Sequence, residues 1–311
     1  MLGASGIGVG EIGLGCMPMN WAYIGDASDA ESIRVIHRAL ALGVTFFDTA
    51  DVYGPFLNEE LVGRALEGRS EAIVATKVGL MVGVDGGYPM LNSAHPDRIR
   101  TAIDDSLTRL GREVIDLYYL HRVDPEVPLE ETWGAMSKLV ETGKVRALGM
   151  SEVTVEELER ARAIHPVTAV QSELSLWTRD RLDDVVPWCV ENDVAFVPFA
   201  PLGRGFLTGA ITESSFAADD FRSRLPRFTP EQVDANQAIV EAVRAVAERA
   251  GATPAQVAIA WLLALDPHVV PIPGTKRVAY LEDNVGAASL RLTADDLADL
   301  DAMPAPEAPR Y

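Results

Sequence analysis

Cysteine is almost missing from this 311-residue chain. Cys16 and Cys189 are the only two. They form neither a disulfide framework nor a metal-ligand spacing. The five histidines are scattered, and none stands at i, i+4 from another candidate ligand, so no metal is expected. No run of about 18 apolar residues occurs, so no membrane-spanning helix is expected. Basic residues are scarce, 27 against 46 acidic ones, for a net charge of −19. That balance argues against nucleic acid or an anionic membrane as partner. The opening MLGASGIGVGE has no basic start and no apolar core, so no secretion signal is read there. A reducing cytoplasm is the expected location. Nothing in the chain points to a protein partner. An anionic cofactor would need a local basic patch against this acidic background.

What the chain does have is alternation. Apolar, strand-like runs recur as EIGLGCM, VTFFDTA, AIVATKV, VIDLYYLH, KVRALGMS, TAVQSEL, AFVPFAPLG and HVVPIPG. Most are separated by segments with helical spacing. DAESIRVIHRALALG has Ser28 or Asp29 as a candidate N-cap, and HPDRIRTAIDDSLTRLG has Gly111 as its stop. Strands without polar alternation imply burial on both faces, as in parallel sheets. Eight such units predict an α/β chain forming a single (β/α)8 TIM barrel, one domain over 1–311. Residues 203–230 form a long loop after the seventh strand, and extra helices follow it. The runner-up is an open doubly wound sheet. The glycines of GIGVGEIGLG do not open a helix after a strand, which counts against it.

In such a barrel the C-terminal strand ends face the active site. Asp48, Tyr53, Lys77 and His121 stand at or just past the ends of the second, third and fourth runs. Each alone has an ordinary reading: a turn former, rim packing, a surface charge, a structural histidine. Gathered at one barrel mouth they describe a tuned proton donor. A free phenol titrates at about 10, too high for ready donation at neutral pH. A lysine cation beside Tyr53 would lower that, and Asp48 would hold the lysine in place. His121 would hydrogen-bond the phenol or a substrate carbonyl.

FDTADVYG, the lysine of VATKVG, the histidine of YYLHRVDP and a late PIPGTKR together resemble the aldo-keto reductase superfamily. QSELSLWTRD and PLGRGFLTG bring the likeness nearest to its bacterial members, and it covers nearly the whole chain. The resemblance implies a barrel that binds NADPH without a Rossmann domain and reduces aldehydes and ketones without a metal. It makes Tyr53 the acid, with Asp48 and Lys77 tuning it and His121 orienting the carbonyl. It also implies cofactor contacts. Met17 would touch the nicotinamide side, Ser151 and Gln171 the carboxamide, and Phe199 the nicotinamide ring. Ala200, Pro201, Leu202, Gly203 and Gly205 would run along the pyrophosphate. Gly274, Thr275, Lys276 and Arg277 would meet the 2′-phosphate, and Asp283 and Asn284 the adenine. Elementary electrostatics agrees at one point: PGTKR opens a helix, and a helix N-terminus with adjacent cations is a ready anion site. Arg222, Arg224 and Arg227 in the long loop are weaker candidates for the pyrophosphate.

Two departures from the family pattern stand out. Position 152 is Glu where many members have Asn, and a carboxylate cannot donate to a carboxamide oxygen. The segment ahead of the first strand is short, so the plug at the barrel bottom is expected to be reduced. Trp21 and Trp177, and less so Tyr23, Phe56 and Met81, are candidates for an aromatic substrate pocket. Two other readings stay open: an NADPH-binding regulatory subunit with little turnover, and a barrel lyase using Lys77 as a Schiff base.

Overall fold

A computed structural model describes residues 1–22, 28–82, 90–217 and 220–310. Seven strands form one parallel sheet in the order β1 (Leu14–Gly15), β2 (Phe46–Asp48), β3 (Ile73–Val78), β6 (Ile115–Leu120), β7 (Val145–Ser151), β8 (Ala169–Glu173) and β9 (Ala195–Phe199). Two further short strands, β4 (Leu80–Met81) and β5 (Leu91–Asn92), pair antiparallel as a separate ribbon. The sheet closes through residues 269–274. Phe196 bridges Val269 on one side, and Gly15 bridges Gly274 on the other. This eighth run makes no regular ladder because Pro271 and Pro273 lack N–H groups. The result is a closed (β/α)8 barrel.

The helices follow the caps written in the sequence. Ser28 caps α1 (Asp29–Ala41) by accepting from the Glu31 N–H. α2 (Leu57–Ala65) and α3 (Pro96–Leu110) come next, and Gly111 ends α3 at φ 61°. α4 (Leu129–Glu141), α5 (Val155–Arg162) and α6 (Val185–Glu191) alternate with the strands. The run EQVDANQAIVEAVRAVAERAG forms two helices, α7 (Pro230–Ala235) and α8 (Gln237–Ala250). The break falls at Asn236, whose buried side chain turns inward to accept from Trp177 Nε1 and the Glu307 N–H. Capping boxes open α5, α9 (Pro254–Leu265) and α11 (Ala294–Asp301), and α10 (Val278–Gly286) follows the eighth run. No described helix is long and apolar enough to cross a membrane.

Period-2 alternation divides the strand side chains between two cores. Phe46, Ala75, Leu117, Tyr119, Ala147, Ala169 and Val197 fill the barrel interior. Val74, Val78, Tyr118 and Leu120 face the helices. Gly149 is needed where it stands: a Cβ there would lie 2.4 Å from Tyr119 Cε1. Below, Leu2 and Ile7 enter the same interior cluster and are fully buried or nearly so. A turn at Gly3–Ser5 links them, and the Leu2 N–H donates to Ile7 O at 2.9 Å. Two apolar side chains on one turn therefore plug the barrel.

Candidate active site

The same alternation lifts one polar layer above the apolar interior. Two residues beyond Phe46, Ala75, Tyr119 and Ala169 come Asp48, Lys77, His121 and Gln171. All four sit on the inner face at the C-terminal end of the barrel and all are buried. Lys77 is fully buried, and its Nζ donates to Asp48 Oδ1 at 2.5 Å and to Thr49 O at 2.7 Å. Gln171 Nε2 donates to the other Asp48 oxygen at 2.7 Å. Burial raises the Asp48 pKa and lowers that of Lys77, while each opposes the effect on the other. The pair survives in the interior because both partners are charge-matched and the carboxylate accepts a second bond.

Tyr53 lies over this pair, 8% exposed, with Lys77 Nζ 5.1 Å from its ring centroid. His121 meets the tyrosine edge-on at 5.8 Å between centroids, and Trp21 lies 5.3 Å away on the rim. Burial, then Arg122 and Lys77, pushes the His121 pKa well below 6.5, so its imidazole is neutral. A neutral ring keeps one donor nitrogen. The structure therefore brings together all four residues singled out in the sequence.

Supporting contacts were not legible beforehand. The side chain of Asn58, fully buried, accepts from Thr49 Oγ1 at 2.6 Å. It donates to Cys16 O at 2.9 Å and to Asn20 Oδ1 at 2.6 Å, tying the ends of β1 and β2 together. Behind the Tyr53 loop lies a buried charge network. Arg98 bonds Asp51 at 2.9 Å and Leu80 O at 3.1 Å, and Arg109 bonds Glu59 at 2.7 Å. Burial first, then the neighbouring Glu59 charge, raises the Asp51 carboxyl to about 7.

The apolar wall beside Tyr53 is Met17, Trp21, Leu80, Val82 and Met90. Met81 is not in it. The ribbon alternates, so Leu80 and Val82 face inward and Met81 is 40% exposed. Trp177 is likewise not a rim residue: it is 2% exposed, stacked on Phe206 and edge-on to Phe228. Phe56 is exposed under the Arg109 guanidinium. Tyr23 lies outside the described residues.

Apart from Met17, which stands in that wall, the residues assigned to a cofactor belong to the other half of the strand order, β7 to β9 and the eighth run, and to α10. Ser151 ends β7, where Arg122 Nη1 donates to its hydroxyl at 3.0 Å. Phe199 ends β9, and Ala200, Gly203, Arg204 and Gly205 all take positive φ. Pro201 and Leu202 complete that turn. The turn closes on itself, since the Gly203 N–H donates to Ala200 O at 2.9 Å and the Gly205 N–H to Leu202 O at 3.0 Å. Gly274 closes against β1, because a Cβ there would meet the Pro18 ring at 2.8 Å. Thr275 Oγ1 accepts from the Arg277 N–H at the start of α10, and Lys276 and Arg277 flank it. On α10, Asn284 is buried, and Asp283 accepts from Thr253 Oγ1 at 3.0 Å. Arg222 pairs with Asp220 at 2.7 Å. Arg227 turns inward instead, donating to Trp177 O and Thr178 Oγ1, each at 2.7 Å, so it is a structural residue. Glu152 turns away from the mouth to accept from the Glu173 N–H at 2.7 Å. Among the described residues, no cluster of candidate ligands could hold a metal.

Residues 11–304 match the Aldo/keto reductase family. The chain belongs to that family. It is similar to the Probable aldo-keto reductase 1 of Glycine max, with 44% identity over 96% of this chain and 86% of the relative. Among solved structures, a glycerol dehydrogenase from Gluconobacter oxydans superposes with TM-score 0.86 at 31% identity, covering 94% of this chain and 90% of that one. An aldo-keto reductase from Bacillus halodurans, in its holo form, gives 0.79 at 25%, covering 100% and 97%. This aldo/keto reductase is thus an oxidoreductase of carbonyl groups, from a family that uses NAD(P)H.

Proposed function

We propose that this aldo/keto reductase reduces uncharged aldehydes and ketones with NADPH, and that Tyr53 delivers the proton. One observation carries the reading: the tyrosine ring lies over a fully buried lysine–aspartate pair, with neutral His121 at its edge. Lys77 places a positive charge beneath the phenol, which favours loss of its proton. Asp48, braced by Gln171, holds that charge in place. His121 can donate a hydrogen bond to the substrate oxygen and fix it against Tyr53. The same ion pair works against a Schiff base at Lys77, because a paired ammonium is a poor nucleophile.

The residues on the other half of the mouth fit the cofactor. The pyrophosphate would run along the positive-φ turn at 203–205, where two glycines let backbone approach it closely. Lys276 and Arg277 at the N-terminus of α10 supply charge for a 2′-phosphate, which favours NADPH over NADH. Ser151 and Gln171 would hold the carboxamide and Met17 and Phe199 the nicotinamide, with Asp283 and Asn284 toward the adenine. Bound NADPH supplies the hydride. Trp21, Leu80, Val82 and Met90 give the substrate side an apolar wall, which suits aryl and aliphatic aldehydes over acidic sugars.

Tyr53→Phe tests the assignment. The variant should bind NADPH as the parent does and lose carbonyl reduction by at least about a hundredfold, the usual weight of a general acid. Turnover at the parent's rate would end the proposal.

A further inference from the structure

The tail that follows α11 reaches the ends of β7 and β8 and is tied down there by charge. Arg310 bonds both oxygens of Glu152, through Nη1 at 3.2 Å to one and through Nη2 to the other. Its Nη1 also lies 3.9 Å from Glu173. The tail backbone is held as well: Ala308 O accepts from Arg227 Nε at 2.8 Å, and the Glu307 N–H donates to Asn236.

Glu152 and Glu173 are not ordinary rim acids. Glu152 follows Ser151 directly and takes φ 55°, a left-handed conformation that costs a β-carbon residue energy unless its surroundings hold it. Its N–H donates to Gln171 O at 3.0 Å, and its carboxylate accepts from the Glu173 N–H at 2.7 Å. It therefore staples β7 to β8 on either side of Ser151 and Gln171. Glu173 in turn pairs with Arg204 at 2.8 Å, and Arg204 occupies the positive-φ turn after β9. An unbroken chain of contacts runs from the tail through the half-buried Glu152 and the buried Glu173 to the turn proposed for the pyrophosphate.

We propose that Arg310 is a positioning residue for the cofactor: by pairing with Glu152 and Glu173 it locks the ends of β7 and β8 and leaves Arg204 set in the turn. This rests on the proposed function, since it takes that half of the mouth as the cofactor's. Without Arg310, Glu152 loses its ion pair and Glu173 loses a neighbouring cation, while Glu173 keeps its pair with Arg204. Arg204 is then drawn further into the acidic pair, and the turn loses its fixed shape. Linkage makes the effect reciprocal, so cofactor binding should also tighten the tail.

Purified parent, Arg310→Ala and Arg310→Lys would be titrated with NADPH by tryptophan fluorescence. Amide hydrogen exchange of residues 302–310 would be followed with and without NADPH. The Ala variant should bind about tenfold more weakly, within the usual range of such coupling. Its KM for NADPH should rise in step, with kcat and the aldehyde KM within about twofold of the parent. The Lys variant should recover part of the affinity, since it keeps the charge but not the fork. NADPH should slow exchange across the tail in the parent and not in the Ala variant. Unchanged affinity in a folded Ala variant overturns the proposal. So does a rise confined to the aldehyde KM, or tail exchange indifferent to NADPH. A parent that binds neither NADPH nor NADH sinks the functional reading itself, a result distinct from a parent and variants that all bind alike.

Discussion

Asp51→Asn should stabilise this protein, and increasingly so as pH rises from 5 to 8. Asp51 is 1% exposed, with Arg98 as its bonded cation and Glu59 as an opposing charge. Its carboxyl titrates near 3.9 in an unfolded chain but holds its proton to about 7 in the fold. Between those values the folded state binds more protons than the unfolded state, so stability falls as pH rises through the interval. At 1.36 kcal/mol per pH unit, the full loss is on the order of 4 kcal/mol, complete above about 7. An amide keeps an acceptor for Arg98 and carries no charge to bury. Some return is lost because the Arg98 bond changes from charge-assisted to neutral, about 1 kcal/mol. The expected net gain is therefore about 3 kcal/mol at pH 8 and only about 0.5 kcal/mol at pH 5. Urea unfolding of both proteins at pH 5, 6.5 and 8 would measure it. A stability difference that stays flat across that range, or one that grows toward low pH, would show that Asp51 is ionised throughout and that Arg98 governs it instead.

Three further outcomes are expected. Lys77→Met should abolish reduction and destabilise the fold by about 3–5 kcal/mol at neutral pH, because Asp48 is left buried without its cation; the loss should shrink at lower pH in a melting series as the carboxyl takes up a proton. Lys276→Ala with Arg277→Ala should weaken NADPH far more than NADH in parallel titrations, and equal losses would remove the 2′-phosphate assignment. Leu2→Ala should cost about 2–5 kcal/mol in chemical unfolding, as for other fully buried leucines, despite lying in a short segment ahead of the barrel.

Much of the architecture was readable because it is written in local pattern. Non-alternating apolar runs ending in polar groups, with capped helices between them, carry the barrel and mark the end where the chemistry gathers. Asp48, Lys77 and His121 were legible because two-residue periodicity places them in register above Phe46, Ala75 and Tyr119. The eighth run was legible as apolar, while its two prolines hid how it closes the sheet through single bridges. Where the pattern is short, it failed. Met81 and Val82 differ by one position, and only the pairing of Met81 with Leu91 settles which faces Tyr53. Trp177 reads as a mouth residue from its place after β8, yet the long loop folds over it and makes it core.

By itself, then, the sequence determined the strand and helix periods, the caps and the polar layer at the strand ends, since these depend on neighbours a few positions apart. Tertiary structure alone decided the contacts made across long separations: Gln171 on Asp48, Asn58 on the end of β1, and Arg310 on Glu152, 158 positions away. No local spacing encodes such pairs. They exist because closing the barrel brings distant strand ends to one rim, where buried charges must find partners or be neutralised.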